Sequence, residues 1–196
     1  MAWTAIVTCY VALLRAVNVG GAGRLPMSDL ERLCKRAGFR QVRTCGASGN
    51  ALFDSDTGPQ SVRRALQPLL QRYFGHPVGV VVRTAAELAA VLKNNPFPDC
   101  APQRTMAIFL NQASPPDTLR HIRGQTVERI SVGKREIYVH YGAGLGVSRL
   151  KIAAAASGTA RNLNTVARLV AMACPESGGS GRAPPRPRGA RRRISD

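Results

Sequence analysis

The chain has 196 residues, of which 44% are hydrophobic, enough for one large domain or two small ones that fold without metal or disulfide staples. The formal net charge is +17, and the stretch from 175 to 196 supplies only four of that surplus, because residues 1–174 hold 22 basic side chains against nine acidic ones. A spanning helix is excluded, since no segment reaches about 18 uncharged apolar residues, and the charge has two readings: an anionic partner such as a phosphate ligand or nucleic acid, or a supply bias in which 24 of the 28 basic residues are arginine.

Residues 2–14 are uncharged and mostly apolar, yet no basic residue precedes them and Arg15 interrupts them, so they read as a buried first strand and not as a secretory signal. The segment 10–19 alternates too little for a half-exposed strand and reads as one buried on both faces. Behind the loop Gly20-Gly21-Ala22-Gly23-Arg24 comes a helix with Pro26 near its start and Ser28 and Glu31 at capping-box spacing. Its inner face carries Leu30, Leu33, Cys34 and Ala37, and Gly38 stops it. Residues 42–47 and 51–53 flank the turn Ser48-Gly49-Asn50 and form a hairpin. A second helix spans 59–73, with Val62, Ala65, Leu66, Leu69 and Tyr73 on one stripe, a kink expected at Pro68 and an end at Gly75. The β-branched run 78–82 is a strand.

Strand, helix, hairpin, helix, strand is the order of a ferredoxin-like α/β plait. A third helix at 84–93 carries a capping box in Thr84 and Glu87, and the proline-rich stretch 96–102 leads into a second unit. There the pattern gives a strand at 106–110, a short helix at 116–123, and a hairpin of 127–132 with 136–141 turning at Gly133-Lys134. Helices at 149–156, stopped by Gly158, and at 163–173 complete a plait-like half with no clear final strand. The expected fold class is therefore α+β, two ferredoxin-like subdomains with mainly antiparallel sheets, at 1–94 and 95–174, followed by a disordered basic tail at 175–196.

Five segments together, YVALLRAVNVGG (10–21), RLPMSDLERL (24–33), VRTCGASGNALF (42–53), NPFP (95–98) and TARNLNTVARL (159–169), resemble in content and order the bacterial family called domain of unknown function 1697. The resemblance runs over about residues 10–173. It implies a pair of ferredoxin-like subdomains and no established activity. Where the family has an aromatic and then an aliphatic residue, this chain has Cys45 and Gly46, and where the family has tryptophan it has Leu163. The segment between Ser148 and Thr159 is also shorter than in the family.

The residues that could carry chemistry gather in three places. Asn18, Gly20, Gly21 and Arg24 lie between a strand and a helix start, where backbone N–H groups and a guanidinium hold an anion; the same glycines also serve a tight turn. No GxxxxGK[ST] spacing is present. Ser48 and Asn50 place a hydroxyl and an amide at a hairpin tip, without the GxSxG spacing of a nucleophile elbow. Arg161, Asn162 and Asn164 open the last helix, where asparagines cap it or, with the arginine, clamp a polar ligand. Cys45, two residues from Arg43 on the same strand face, is either a reactive thiol or a small packed residue. His76, His121 and His140 stand apart, the five cysteines show no CxxC pair, and the acidic residues are scattered, so the sequence names no catalytic residue, metal or cofactor and places the chain in a reducing cytoplasm.

Three functions compete. The leading one is a small anionic or phosphate-bearing ligand held where these three segments meet. The second is nonspecific nucleic-acid binding by the basic body; aromatic content of 5% with no RNP motif argues against base reading. The third is a structural or oligomeric module without a ligand, and the sequence assigns no oligomeric state.

Overall fold

The computed structural model describes residues 7–18 and 24–173. The segment 175–196, expected as a tail, and Gly20 and Gly21 lie outside the described residues.

The first half contains β1 (Thr8–Leu14), α1 (Met27–Arg36), β2 (Arg40–Thr44), β3 (Asn50–Ser55), α2 (Pro59–Phe74) and β4 (Val80–Thr84). Its strands form one antiparallel sheet in the order β2-β3-β1-β4. β1 is buried on both faces, as its unalternating apolar run requires: Tyr10, Ala12 and Leu14 enter one core, Val11 and Leu13 another. The strand stops at Leu14 instead of continuing to residue 19. Ala16 and Asn18 sit at φ 51° and 58°, left-handed backbone that no strand accommodates. α1 begins directly behind Pro26, so Ser28 falls inside the helix and the expected capping box with Glu31 does not form; Glu31 instead accepts from Lys35 Nζ at 2.6 Å. Proline's fixed φ prepares the helix entry without a side-chain cap. α2 runs unbroken through Pro68, buries Val62, Leu66 and Leu70, and ends at Gly75 in the left-handed conformation. Tyr73 lies on the exposed side, its hydroxyl donating to Asp29 Oδ2 at 2.7 Å.

α3 (Ala85–Lys93) opens with the expected capping box: Glu87 N donates to Thr84 Oγ1 at 3.1 Å and Thr84 N to Glu87 Oε2 at 2.8 Å. Then follow β5 (Thr105–Phe109), β6 (Ile122–Arg123), β7 (Arg129–Val132), β8 (Glu136–His140), β9 (Lys151–Ile152), β10 (Thr159–Asn162) and α4 (Leu163–Ala173). The second sheet has the order β10-β5-β8-β7 and is antiparallel, while β6 and β9 pair as a separate two-stranded ribbon.

Three expectations for this half are corrected. The helix expected at 116–123 is a single 3₁₀ turn, Thr118–His121, followed by β6, and that expected at 149–156 is β9 followed by a 3₁₀ turn, Ala153–Ser157. The alanines favour helix, but pairing Ile122 with Ile152 seals the outer core of the second sheet, and that burial prevails. The final strand, read as missing, is β10. Gly158 is its entry point and not a helix stop, since a Cβ there would come within 2.9 Å of Phe109 O. The polar run Thr-Ala-Arg-Asn disguised the strand.

Packing arranges these elements in layers. α1 and α2 cover one face of the first sheet. Its other face rests on α3 and α4, which also meet the second sheet through Ala107, Phe109 and Tyr138, so one core spans both sheets. α4 contributes Leu163, Val166 and Leu169 to it, each worth about 1.5–3 kcal/mol on burial. Tyr138 Oη donates to Val91 O at 2.9 Å and fixes α3 on the second sheet. Among the described residues no helix is long and apolar enough to cross a membrane.

Candidate functional site

The antiparallel register of β1 and β3 sets Leu13 opposite Asn50, so the β2–β3 turn and the chain leaving β1 emerge at the same end of the first sheet. β10 arrives at that end from the second sheet. Its Arg161 is only 6% exposed, and its guanidinium is surrounded by protein acceptors. Nε donates to Asn50 Oδ1 at 2.5 Å, Nη1 to Thr159 Oγ1 and Ala160 O at 2.8 Å each, and Nη2 to Leu14 O at 2.8 Å, Ser48 O at 2.7 Å and Gly49 O at 3.4 Å. No carboxylate is among these partners. Burial lowers the guanidinium pKa to about 10, which leaves it charged at neutral pH.

Arg83 on β4 performs the reciprocal act. It is 2% exposed and donates from Nη2 to Leu110 O at 2.5 Å and Arg135 O at 3.0 Å, and from Nη1 to Val82 O at 2.9 Å. Burial first, and the nearby Arg135 charge second, lower its pKa to about 10. The two arrangements share three kinds of bond, to the preceding residue's carbonyl, a strand-end carbonyl and a turn carbonyl, and Arg161 adds bonds to Asn50 and Thr159. Each arginine stands on an edge strand, binds the carbonyl at the end of the other half's first strand, and reaches that half's hairpin turn. In each half the strand-end residue also donates to the turn: Leu14 N to Gly49 O at 2.8 Å, Leu110 N to Arg135 O at 2.9 Å. A pair of buried arginines thus latches the two sheets together reciprocally. Arg83 escaped the sequence reading, although an arginine in the otherwise apolar run Val80-Val81-Val82-Arg83 was the signal available.

The other candidates fall around the Arg161 latch. Asn18 closes the base of the loop, since its Nδ2 donates to Leu25 O at 2.9 Å and to Ala47 O at 2.7 Å, and its Oδ1 accepts from Leu25 N at 2.7 Å. Ser48 contributes its carbonyl, and its side chain is on an exposed residue. Asn50 is buried and donates from Nδ2 to Cys45 O at 2.8 Å. Asn162 is the N-cap of α4, accepting from Thr165 N at 2.8 Å, and Asn164 is exposed in the first turn. Arg24 is exposed. Ser48, Asn50 and Arg161 therefore come together through direct bonds, with Asn18 bonded beside them to Ala47 and Leu25, whereas Asn162 caps the helix start.

Cys45 packs in the core shared by the sheets, the same cluster that holds Leu163, so two of the departures from the family pattern sit in one packing region. Cys34 is fully buried, and desolvation followed by the Glu31 charge pushes its thiol up to about 12. His121 faces Asp117 at 3.1 Å and His140 Nδ1 lies 3.1 Å from Thr105 Oγ1. Among the described residues no three His, Cys, Asp or Glu side chains gather as a metal-ligand set.

Beside the Arg83 latch lies a cleft of about 870 Å³. One wall is the start of α2 with Gln60 and Arg63, the other is the chain after β5 and the β7–β8 turn with Asn111, Lys134 and Arg135; Val82, Leu110 and the alanines of the 153–157 turn provide apolar surface. Three cationic residues line it and no carboxylate does. Arg135 is held in place by Glu87 Oε1 at 3.0 Å and Asn111 O at 3.2 Å.

Two four-stranded antiparallel sheets around an α3/α4 layer, joined by reciprocal arginine latches, define an α+β protein with a basic cleft at its internal junction. Residues 7–138 match the family model described as "Protein of unknown function (DUF1697)", and the chain belongs to that family. Among solved structures, a conserved bacterial protein from Streptococcus pneumoniae, SP0830, is similar at 20% identity with a TM-score of 0.71, covering 86% of this chain and 99% of that one; the likeness is one of fold. No curated protein matches the sequence.

Proposed function

We propose that this protein binds a small phosphate-bearing ligand in the junction cleft beside Arg83. The observation that carries the proposal is the lining itself: Arg63, Lys134 and Arg135 without a carboxylate, over an apolar floor, in about 870 Å³ where two sheets meet. Arg63 and Lys134, which form no ion pair with a described residue, supply charge-assisted bonds to phosphate oxygens, Arg135 adds charge that Glu87 partly answers, and the apolar surface takes an organic body. The anion site expected near Gly20 and Gly21 gives way to this cleft because Arg161, its intended clamp, has Nε, Nη1 and Nη2 committed to protein acceptors.

The fold reading that accompanies it is two ferredoxin-like plaits, at 1–94 and 95–174. In its support, both sheets place their four main strands in the order second, third, first, fourth or its reverse, although in the second half short 3₁₀ turns and the ribbon stand where the plait has helices.

Calorimetric titration with pyrophosphate and with nucleoside diphosphates tests the proposal. Binding is expected for the parent, and an Arg63→Ala/Lys134→Ala double variant should weaken it at least tenfold, the loss of roughly 1.4 kcal/mol or more. Equal affinity in parent and variant, or no binding by the parent, would overturn it.

A further inference from the structure

A second basic surface lies on the far side of the 153–157 turn, and it is built differently from the cleft. β6 and β9 pair antiparallel with Ile122 opposite Ile152 and Arg123 opposite Lys151. Ile152 is buried in the outer core of the second sheet, with Ile122 packed against it. By the period-2 rule the two cations are therefore set on the opposite, outward face, and both are exposed. Like charges directly across a ladder repel. The fold nevertheless brings further positive charge to the same place. Arg120 on the 3₁₀ turn lines a cleft of about 660 Å³ together with Arg123 and Lys151. Arg149 is drawn in by Gly124, whose φ of +67° and whose missing Cβ, which would come 2.4 Å from Arg149 O, let the two backbones touch.

Some surface cations are answered by carboxylates, Arg32 by Asp29, Lys35 by Glu31, Arg40 by Asp56, Arg129 by Asp99 and Arg135 by Glu87, while others, such as Arg36 and Arg43, stand singly. Arg120, Arg123, Arg149 and Lys151 form no ion pair with any described residue; of the carboxylates nearby, Asp117 is engaged by His121 at 3.1 Å and Glu128 by the Ser148 hydroxyl and by Thr126 N at 2.7 Å. Four cations concentrated on an open ribbon lack the buried donors that select one small ion. What they provide is charge density, which repeated backbone phosphates use fully because each contact releases a condensed counterion. The large exposed apolar side chains of the surrounding loops, Leu119, Val127, Leu145 and Val147, include no aromatic on which an unpaired base would stack.

From this we infer that the β6–β9 ribbon is a sequence-independent contact surface for the phosphate backbone of a nucleic-acid duplex, separate from the small-ligand cleft. Binding of the full chain to a labelled random-sequence DNA duplex, measured by fluorescence anisotropy across a salt series, tests it. With two of the four contacts removed, Arg123→Ala/Lys151→Ala should flatten the slope of log K against log salt by about 1.8 and so reduce the affinity lost between about 50 and 200 mM salt by roughly tenfold. A control that removes two exposed cations elsewhere, Arg36→Ala/Arg43→Ala, should leave the slope within about 0.5 of the parent. Circular dichroism and melting of each variant confirm folding. An unchanged slope for the ribbon variant, an equal change in the control, or no duplex binding by the parent would each overturn the inference. The two proposals fail separately, because the ribbon variant is expected to keep the pyrophosphate affinity of the junction cleft.

Discussion

Replacing Arg161 by alanine separates a latch from a ligand clamp. In the folded chain the guanidinium makes its bonds to carbonyl, amide and hydroxyl oxygens, and its removal affects them unequally. Leu14 O keeps Thr159 Oγ1 at 3.0 Å, and Gly49 O keeps Leu14 N at 2.8 Å. Ser48 is exposed, so water replaces the lost donor there. Asn50 Oδ1, on a residue 1% exposed, is stranded. An unsatisfied buried acceptor costs about 1–3 kcal/mol, and the lost charge-assisted bonds and the cavity left by the side chain add to it, while release of a buried cation offsets part. The net expectation is a loss of about 2–4 kcal/mol, or roughly 4–16 °C in melting temperature for a chain of this size. Arg161→Lys should recover only part, because a point charge cannot span Asn50 Oδ1 and Leu14 O as the fork does. In a double-mutant cycle with Asn50→Ala, urea unfolding should show a coupling of about 0.5–3 kcal/mol. If Arg161→Ala leaves stability within about 0.5 kcal/mol of the parent but abolishes phosphate binding, the arginine is a clamp and the latch reasoning fails.

Three further outcomes follow from named contacts. Glu128 accepts from the hydroxyl of Ser148 and from Thr126 N at 2.7 Å, and these bonds hold its carboxyl down at about 2; its contribution is complete above its ordinary range near 4.5 and lost as pH falls toward 2, so Glu128→Gln should flatten the melting-temperature profile between those values. Cys34, with its thiol pushed up to about 12 inside the α1 core, should resist maleimide at pH 8 and react only on unfolding; rapid labelling of the native protein at that residue would contradict its placement. Gly49→Ala should destabilise by roughly 1–3 kcal/mol in chemical denaturation, because φ is +71° and a Cβ would come 2.3 Å from Val17 Cγ2; a neutral result would mean that the turn adjusts freely.

The first half was legible because its signals are local. Apolar runs gave β1 and β4, helical periodicity gave α1 and α2, and the Thr84–Glu87 box gave the start of α3. The second half depends on long-range pairing that no local pattern announces. The isoleucines of β6 and β9 are 30 residues apart in number, and β10 is recognisable only when the carbonyls that receive Arg161 are known. The site was legible in part for the same reason. Ser48, Asn50 and Arg161 do meet, and Asn18 reaches the same turn at Ala47, because the β1–β3 register brings turn and loop to one end, but charge and composition could not show that the arginine faces inward. Arg83 was hidden because two of its three carbonyl partners, Leu110 and Arg135, lie in the other half of the chain.

A two-dimensional amide NMR titration of the full chain with pyrophosphate reads directly where a phosphate ligand sits. Shifts are expected to cluster at residues 60–63, 111–115, 134–135 and 153–157, the walls of the junction cleft. Shifts concentrated instead at 24–25 and 46–50, or none at saturating ligand, would contradict it.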